Sequence, residues 1–203
     1  MTTQVRTASA TDAATIAYVV ATAFHPLDVT RWLIPDPQER ANRFPHYARI
    51  LIDHAFEHGT IHITTDLNAV AVWLPHPLPD PPSYATKLAY ACGVWTPRFQ
   101  LLDQAMHHAH PQDLGPHDYL AFLAVMPQYQ GQGCGAALLD HHHNYLDEHG
   151  RAAYLEASNT HSRKLYTHHG YTDCAPPLDL HYQGEPMYPM WRQPPTPGNN
   201  RLA

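Results

Sequence analysis

The stretch QYQGQGCGAALLDHHH, residues 128–143, decides the fold of this chain. Gly131, Gly133 and Gly135 alternate with other residues, and an apolar pattern of helical spacing follows at once. The preceding DYLAFLAVMP, residues 118–127, is apolar on both faces and predicts a central strand. The first N–H groups of a helix lack internal partners, and glycine lets a phosphate approach the backbone closely. The stretch therefore predicts a site for a phosphate-bearing ligand.

Two well-known phosphate-binding motifs can be compared with this stretch. A P-loop needs Lys followed by Ser or Thr, and neither follows these glycines. A dinucleotide fingerprint does match Gly131, Gly133 and Ala136, with Glu156 as the acid near the end of the next strand. It lies late in the chain, however, after a helix-rich segment and a hairpin, so too little chain remains for a doubly wound sheet. A nicotinamide-dependent reductase is therefore the weaker interpretation.

Composition narrows the function classes. The 203 residues carry a net charge of -6 with only 12 Lys and Arg, which argues against a nucleic-acid partner and suits an amine substrate. Three widely spaced cysteines without a CxxC motif predict no disulfide framework. The N-terminus has no signal-peptide pattern, and the apolar run at 13–24 is too short to span a bilayer. We expect a soluble cytoplasmic protein with no membrane partner, either a monomer or a homodimer.

The 18 histidines raise the question of a metal site. His107 and His110 could share a helix face, whereas the HHH run at 141–143 fans out around its helix, and no HExxH motif is present. We predict no metal site and interpret the histidine runs as solvated helix surface.

The rest of the chain interleaves helices and strands around one sheet. The patterns predict a strand at 4–9, helices at 11–24 and 39–59, and a hairpin at 61–74. Pro45 should interrupt the second helix, and Pro97 should divide a helical region at 84–109. Tyr84, Tyr90, Trp95 and Phe99 in that region either line an acceptor pocket or pack as ordinary helix residues. Residues 1–193 are predicted to form a single domain, and 194–203 a disordered tail.

A third pattern fits the glycine loop better than either phosphate motif. Gln130, Gly133 and Gly135 spell Q-x-x-G-x-G, which resembles the pyrophosphate loop of the GNAT superfamily of N-acetyltransferases. YLEASNTHSRKLYTHHGY, residues 154–171, resembles the next strand and helix of that family. The resemblance covers about residues 4–193, most strongly 119–172, and the local sequence is closest to puromycin N-acetyltransferases. It implies an α+β fold whose central sheet, mixed but mostly antiparallel, splays at the acetyl-CoA site between flanking helices.

The resemblance also implies acetyl-CoA as co-substrate and a set of residues that bind it. Backbone groups of the central strand would pair with the pantetheine arm, and the loop amides would hold the pyrophosphate. Many members carry Lys or Arg where this chain has Gln132, so its loop lacks a fixed positive charge. Asn159 would contact the cofactor or cap a helix, and Cys134 is expected to be passive. The implied cofactor-binding residues are Leu123, Ala124, Val125, Gln130, Gly131, Gln132, Gly133, Cys134, Gly135 and Asn159.

Two residues are candidates for the chemistry that the resemblance implies. Tyr166 is the candidate general acid, because a phenol stays protonated at neutral pH and can donate to a departing thiolate; otherwise it is a core tyrosine. Glu156 lies in the apolar strand AAYLEAS, so its burial needs a reason. It is the candidate base, or it anchors the substrate ammonium group or pairs with an Arg. His117 and His161 are fallback bases.

We therefore predict an acetyl-CoA-dependent N-acetyltransferase that acts on a primary amine of a small, antibiotic-like molecule by direct attack in a ternary complex. Two alternatives stay open. One is a protein or peptide N-acetyltransferase, and the other is a non-catalytic acyl-CoA-binding regulatory module.

Overall fold

The computed structural model describes residues 3–111 and 114–195. Much of the predicted tail at 194–203 therefore lies outside the described residues. The described helices and strands are arranged around one sheet. Its strands are β1 (Val5–Thr7), β2 (Thr60–Thr64), β3 (Ala69–His76), β4 (His117–Val125), β5 (Ala152–Ala157), β6 (Thr172–Asp173) and β7 (Tyr188–Arg192). Its helices are α1 (Ala13–Phe24), α2 (Asp28–Leu33), α3 (Pro37–His58), α4 (Tyr84–Cys92), α5 (Thr96–Ala109), α6 (Cys134–Glu148) and α7 (Thr160–His168).

The sheet has seven strands in the order β1-β2-β3-β4-β5-β7-β6. Every neighbouring pair is antiparallel except β4 and β5, which run parallel. That parallel pairing joins only His117–Tyr119 to Ala152–Tyr154. Beyond Tyr119 the two strands separate, so their carboxyl ends leave a gap inside the sheet. The predicted mixed, mostly antiparallel sheet that splays next to the glycine loop is confirmed.

A β-bulge in β4 helps to open this gap. Val72 pairs with Phe122 while Trp73 pairs with Leu120, which leaves Ala121 as an extra residue on β4. A bulge bends its strand and increases the local twist. Ala121 and Phe122 consequently both face the helix layer of α1 and α3, and Leu123 faces the opposite layer.

Helices cover both faces of the sheet. One core joins α1, α3, α4 and α5 to the first face, and a second core joins α6 and α7 to the other. The amphipathic spacing of α1 explains its place, because Ile16, Val19 and Val20 are all buried. In α6, Leu138, Leu139 and Leu146 are buried in the same way.

Three local predictions were wrong. Helix α3 continues through Pro45, since Phe44, Tyr47 and Ala48 are buried on either side of it and packing outweighs the one lost hydrogen bond. The 84–109 region does divide into two helices as predicted, but the break lies at Gly93, whose φ of 57° ends α4. Pro97 lies in the first turn of α5, where proline is tolerated.

The HHH run is also not a solvated surface, because only His141 is exposed. His142 and His143 are buried with exposed fractions of 2% and 5%. His142 bridges His62 and Asp118, with 3.0 Å to each, and His143 lies 3.0 Å from the hydroxyl of Tyr171. Among the described residues, no helix is long and apolar enough to cross a membrane.

Candidate active site

A cavity of about 590 Å³ lies where β4 and β5 separate. Parallel strands place their carboxyl ends at one edge of a sheet, so the segments after β4 and β5 both border this cavity. The lining residues come from both faces of the sheet. Leu123, Val125 and the glycine loop lie on the α6–α7 side, and the side chains of α1, α3 and α5 lie on the other. The cavity therefore connects the two faces through the gap.

The backbone of β4 has an open edge along this gap. The N–H of Met126 donates to the carbonyl of Asn68 at 2.9 Å, and Val70 pairs with Ala124. Because hydrogen-bonding directions alternate along an antiparallel ladder, Ala124 directs its backbone groups to β3. Leu123 and Val125 direct their backbone N–H and C=O groups to the gap, where β5 is no longer paired with β4. An extended ligand arm could add to β4 at this point like a further strand.

Ala124 differs from its neighbours. Its side chain is 1% exposed in the α1–α3 core, and it does not line the cavity. Of the three predicted strand residues, the structure brings only Leu123 and Val125 to the cavity.

The glycine loop begins α6 without a side-chain cap. Gly131 and Gly133 have φ of 74° and 84°, which other residues rarely adopt, and Gly133 is the N-cap. The first hydrogen bond into the helix runs from the N–H of Ala137 to the carbonyl of Gly133. Cys134, Gly135 and Ala136, whose N–H groups precede that bond, border the cavity. Such first-turn N–H groups have no partner within their own helix, and at the positive end of a 15-residue helix they suit a phosphate group.

The two glutamines of the loop brace it. Gln130 donates from Nε2 to the carbonyl of Val125 at 3.1 Å and so ties the loop to the strand end. Gln132 donates to the carbonyl of Gln128 at 2.9 Å and does not line the cavity. Sequence analysis missed Lys164, an exposed residue of α7 that does line it. Lys164 can supply the positive charge that Gln132 lacks.

Asn159 is the N-cap of α7 and also lines the cavity. Its side-chain oxygen accepts from the backbone N–H of Ser162 at 2.8 Å. Capping therefore accounts for its polar side chain, and the predicted cofactor contact stays a prediction.

Glu156 borders the half of the cavity that faces α1 and α3. Leu155 and Ala157 belong to the α6–α7 core, so the alternation of β5 turns Glu156 to the opposite face. Its Oε2 accepts a hydrogen bond of 2.9 Å from the hydroxyl of Tyr119, and its Oε1 has no hydrogen-bond partner among the described residues. Burial raises the pKa of Glu156 to about 7, although the hydroxyls of Tyr119 and Tyr154 offset part of that rise. The predicted pairing with an Arg is absent from the described residues.

Tyr166 borders the other half of the cavity, on the α6–α7 side. It is 7% exposed, and its ring packs against Tyr171 with 5.7 Å between ring centroids. No other described residue forms a hydrogen bond with its hydroxyl. Burial raises the pKa of Tyr166 above its ordinary value, so the phenol keeps its proton at neutral pH.

The aromatic residues of the 84–109 region do not form the pocket. Phe99 is fully buried in the core, Tyr90 is 87% exposed, and neither Tyr84 nor Trp95 lines the cavity. Helix α5 contributes Leu102 and Met106 instead. The fallback base His161 lines the cavity, whereas His117 is buried outside it.

The sequence matches the family model of the acetyltransferase (GNAT) domain over residues 100–173, which spans β4, the glycine loop, α6, β5 and α7. Over those residues the sequence is similar to a GNAT acetyltransferase domain, and the chain has the mixed α/β GNAT fold. No curated protein matches the sequence.

Solved structures share the GNAT fold over nearly the whole chain. A Corynebacterium glutamicum protein described as "histone acetyltransferase HPA2 and related acetyltransferase" is 25% identical with a TM-score of 0.69, and covers 98% of this chain and 100% of its own. A mosquito arylalkylamine N-acetyltransferase like 5b is 16% identical with a TM-score of 0.65, covering 95% and 100%. An agmatine N-acetyltransferase is 15% identical with a TM-score of 0.66, covering 94% and 98%.

Proposed function

We propose that this protein transfers the acetyl group of acetyl-CoA to the primary amine of a small molecule, by direct attack in a ternary complex. One observation carries the proposal. A single cavity joins the uncapped start of α6, on one face of the sheet, to a buried carboxyl group on the other. Donor and acceptor can then approach the gap between β4 and β5 from opposite faces.

The part of the cavity on the α6–α7 side, which we call the donor half, suits a long ligand with a phosphate group. The free N–H groups at the start of α6 would bind the pyrophosphate, with Lys164 as an added cation. The open backbone edge at Leu123 and Val125 would bind the pantetheine arm as an added strand. The N–H of Val125 would then donate to the thioester carbonyl and stabilise the negative charge that develops on its oxygen.

The part of the cavity that faces α1, α3 and α5, which we call the acceptor half, contains a candidate base. An amine is mostly protonated at neutral pH and must lose a proton before it attacks. With its pKa near 7, Glu156 is partly ionised under these conditions and can accept that proton, directly or through a water. Tyr119 holds one carboxylate oxygen, and the other is left for the amine.

Tyr166 supplies the acid. Tyr166 borders the donor half and keeps its proton, so its hydroxyl would donate to the thiolate that leaves as the new amide bond forms. Base and acid thus border opposite halves of one cavity, which matches the two ends of the proton transfer.

The walls of the acceptor half narrow the substrate class. They are mainly apolar and include Phe24, Phe44, Tyr47, Leu102 and Met106. Glu156 is the only carboxylate among the described residues that line the cavity. A second cationic group on the substrate would therefore have no acidic partner there. We infer that the acceptor has one amine on an apolar or aromatic scaffold, a class that includes the antibiotic-like aminonucleosides suggested by the sequence. We also propose that the protein is located in the cytoplasm.

The test is acetyl-CoA-dependent release of free thiol across a panel of amines. The panel pairs aromatic monoamines and puromycin with agmatine, spermidine and a short peptide, and protein without amine is the blank for its own three cysteines. Turnover of the monoamines well above that of the polycations is the expected result. Preference for the peptide would assign a peptide acetyltransferase. Acetyl-CoA binding without turnover of any amine would contradict the proposal and favour a regulatory module.

A further inference from the structure

Three histidines from separate elements meet beside the start of β4. His76 ends β3 and pairs in the sheet with His117, which begins β4. His110 follows the last residue of α5. One ring nitrogen of each lies within 4.8 Å of the other two. We call these three residues the histidine cluster; none of them lines the cavity of the candidate active site.

The three rings of the cluster are in contact, with His76 stacked on His117 and His110 tilted against both. Ring centroids lie 4.3 Å apart for His76 and His110, and 4.6 Å apart for His76 and His117. Nε2 of His110 lies 2.8 Å from Nε2 of His117. Nδ1 of His117 lies 2.8 Å from the carbonyl oxygen of Gly115 and must donate to it. Nε2 of His117 then carries a lone pair that is directed at Nε2 of His110. A ring nitrogen free to bind, with the other donating to a carbonyl, is the arrangement common for a metal-binding histidine.

The cluster is largely shielded from solvent. His117 is fully buried, and His76 and His110 are partly so. The surrounding packing therefore limits the access of water to the three rings and holds them in place.

We propose that His76, His110 and His117 bind one divalent transition-metal ion, with Zn²⁺ as the first choice. Imidazole is a preferred ligand of zinc, and three histidines with a water in the fourth position make a known coordination set. Zinc–nitrogen bonds of about 2.0–2.1 Å in a tetrahedron separate neighbouring nitrogens by roughly 3.3 Å. The His110–His117 pair, now at hydrogen-bond distance, would open by about half an ångström. The ring of His76, whose nitrogen lies within 4.8 Å of the other two, would turn from its stack on His117 toward the ion.

Three histidines would leave one coordination position to water, but the cluster lies outside the cavity, so we assign the ion a structural role. It would fasten the end of α5 to β3 and β4, and α5 supplies Leu102 and Met106 to the acceptor wall. His110 also packs on Tyr154 with 4.3 Å between ring centroids, directly behind the last residue pair that joins β4 to β5. Bound zinc would therefore hold the acceptor half of the cavity in place without entering it.

One competing group needs its own control. His54, Glu57 and His58 also bring their ligand atoms within 4.8 Å, on successive turns of α3. Two of these three residues are exposed, and Nε2 of His54 already lies 3.0 Å from the carbonyl oxygen of Pro79. His58→Ala removes this group without touching the histidine cluster.

The experiment measures zinc binding to the full chain without an affinity tag. Metal is removed with a chelator, and Zn²⁺ is titrated against a chromophoric competitor. His76→Ala and His110→Ala each remove one ligand while leaving the fully buried His117 in place. His108→Ala is the matched control, because it changes an exposed histidine of the same helix. The melting temperature with and without Zn²⁺ provides a second readout.

We expect one tight zinc per chain in the original protein, in His108→Ala and in His58→Ala. The affinity should fall in His76→Ala and His110→Ala by more than the roughly 10–100-fold that loss of an outer-shell partner causes. Zinc at about 100 times its Kd should raise the melting temperature by on the order of 5–10 °C, and this rise should vanish in the two cluster variants. Absence of saturable binding, equal affinity in the cluster variants, or loss of binding in His58→Ala instead would overturn the proposal.

Discussion

The hydroxyl of Tyr119 donates a 2.9 Å hydrogen bond to Oε2 of Glu156, across the point where β4 and β5 stop pairing. Tyr119 and Tyr154 form the last residue pair that joins the two strands. Glu156 lies two residues after Tyr154 on β5. The bond therefore fixes a buried carboxyl group at the edge of the gap. It restrains one oxygen and leaves Oε1 without a hydrogen bond among the described residues.

Glu156→Gln should abolish most of the turnover. Gln keeps the shape of the side chain but cannot accept the proton, so kcat should fall by about 10²–10⁴. In the original protein, kcat should rise with pH as the carboxyl group ionises with a pKa of about 7. Steady-state kinetics between pH 5.5 and 9 measure both effects. A pH profile that is unchanged in the variant would remove Glu156 from the mechanism.

Tyr119→Phe is the companion to that variant. The hydrogen bond from Tyr119 lowers the pKa of Glu156, so its removal should raise that pKa and move the rise in kcat to higher pH. Activity at high pH should be largely kept, because the base itself remains. A rise that stays at the same pH would show that Tyr119 does not act through Glu156.

Glu156 should also make stability depend on pH. Its folded pKa of about 7 lies above its ordinary value of 4.5, so the folded state holds the proton more tightly than the unfolded state. Protonated Glu156 stabilises the folded state fully at a pH below the pKa of 4.5 that the group has in the unfolded chain. This stabilisation is lost as the pH rises through about 7, and the free energy of unfolding then falls by at most about 3 kcal/mol. The free energy of unfolding, measured in urea, should therefore be higher for Glu156→Gln than for the original protein at pH 8. At pH 4.5 the two values should be nearly equal. An equal difference at both pH values would contradict the raised pKa.

Tyr166→Phe should lower kcat and leave the Kd for acetyl-CoA nearly unchanged. The phenol is the expected proton donor to the thiolate, and a general acid contributes about 10²–10⁴ to the rate. The fold should survive, because the ring stays and its hydroxyl makes no hydrogen bond to another described residue. Tyr145→Phe, at a residue 45% exposed on α6 and outside the cavity lining, is the control. Full turnover in Tyr166→Phe would identify it as a core tyrosine.

Two glycines of the loop should respond differently to alanine. Gly133 has a φ of 84°, so Gly133→Ala should destabilise the protein by about 1–2 kcal/mol although no atom lies within 4 Å of the new methyl group. A methyl group at Gly135 would meet Leu165, Val125 and Leu123 at 3.6–3.8 Å, which is ordinary contact on the donor side. Gly135→Ala should therefore keep its stability but weaken acetyl-CoA binding by roughly tenfold, or about 1.4 kcal/mol. Calorimetry of folding and of binding separates the two effects, and unaltered binding in Gly135→Ala would contradict the assignment of the donor half.

The glycine loop and the central strand could be predicted from sequence because their signals are local. The alternation of Gly131, Gly133 and Gly135 and the doubly apolar β4 each lie in one short segment. Errors arose where packing competes with propensity. Pro45 is held inside α3 by its buried neighbours, and His142 is buried by partners at residues 62 and 118. Neither outcome has a signal in the adjoining residues.

The sequence by itself determined the order of elements, the glycine-rich start of α6 and the two candidate residues Glu156 and Tyr166, because each depends on spacing within a few turns or along one strand. Only the tertiary structure decided that Tyr119 holds Glu156, that Lys164 borders the donor half, and that His76, His110 and His117 meet. These contacts depend on the register of β3 and β4, on the bulge at Ala121 and on the position of α5. Such features are set by the packing of the whole core and not by neighbouring residues.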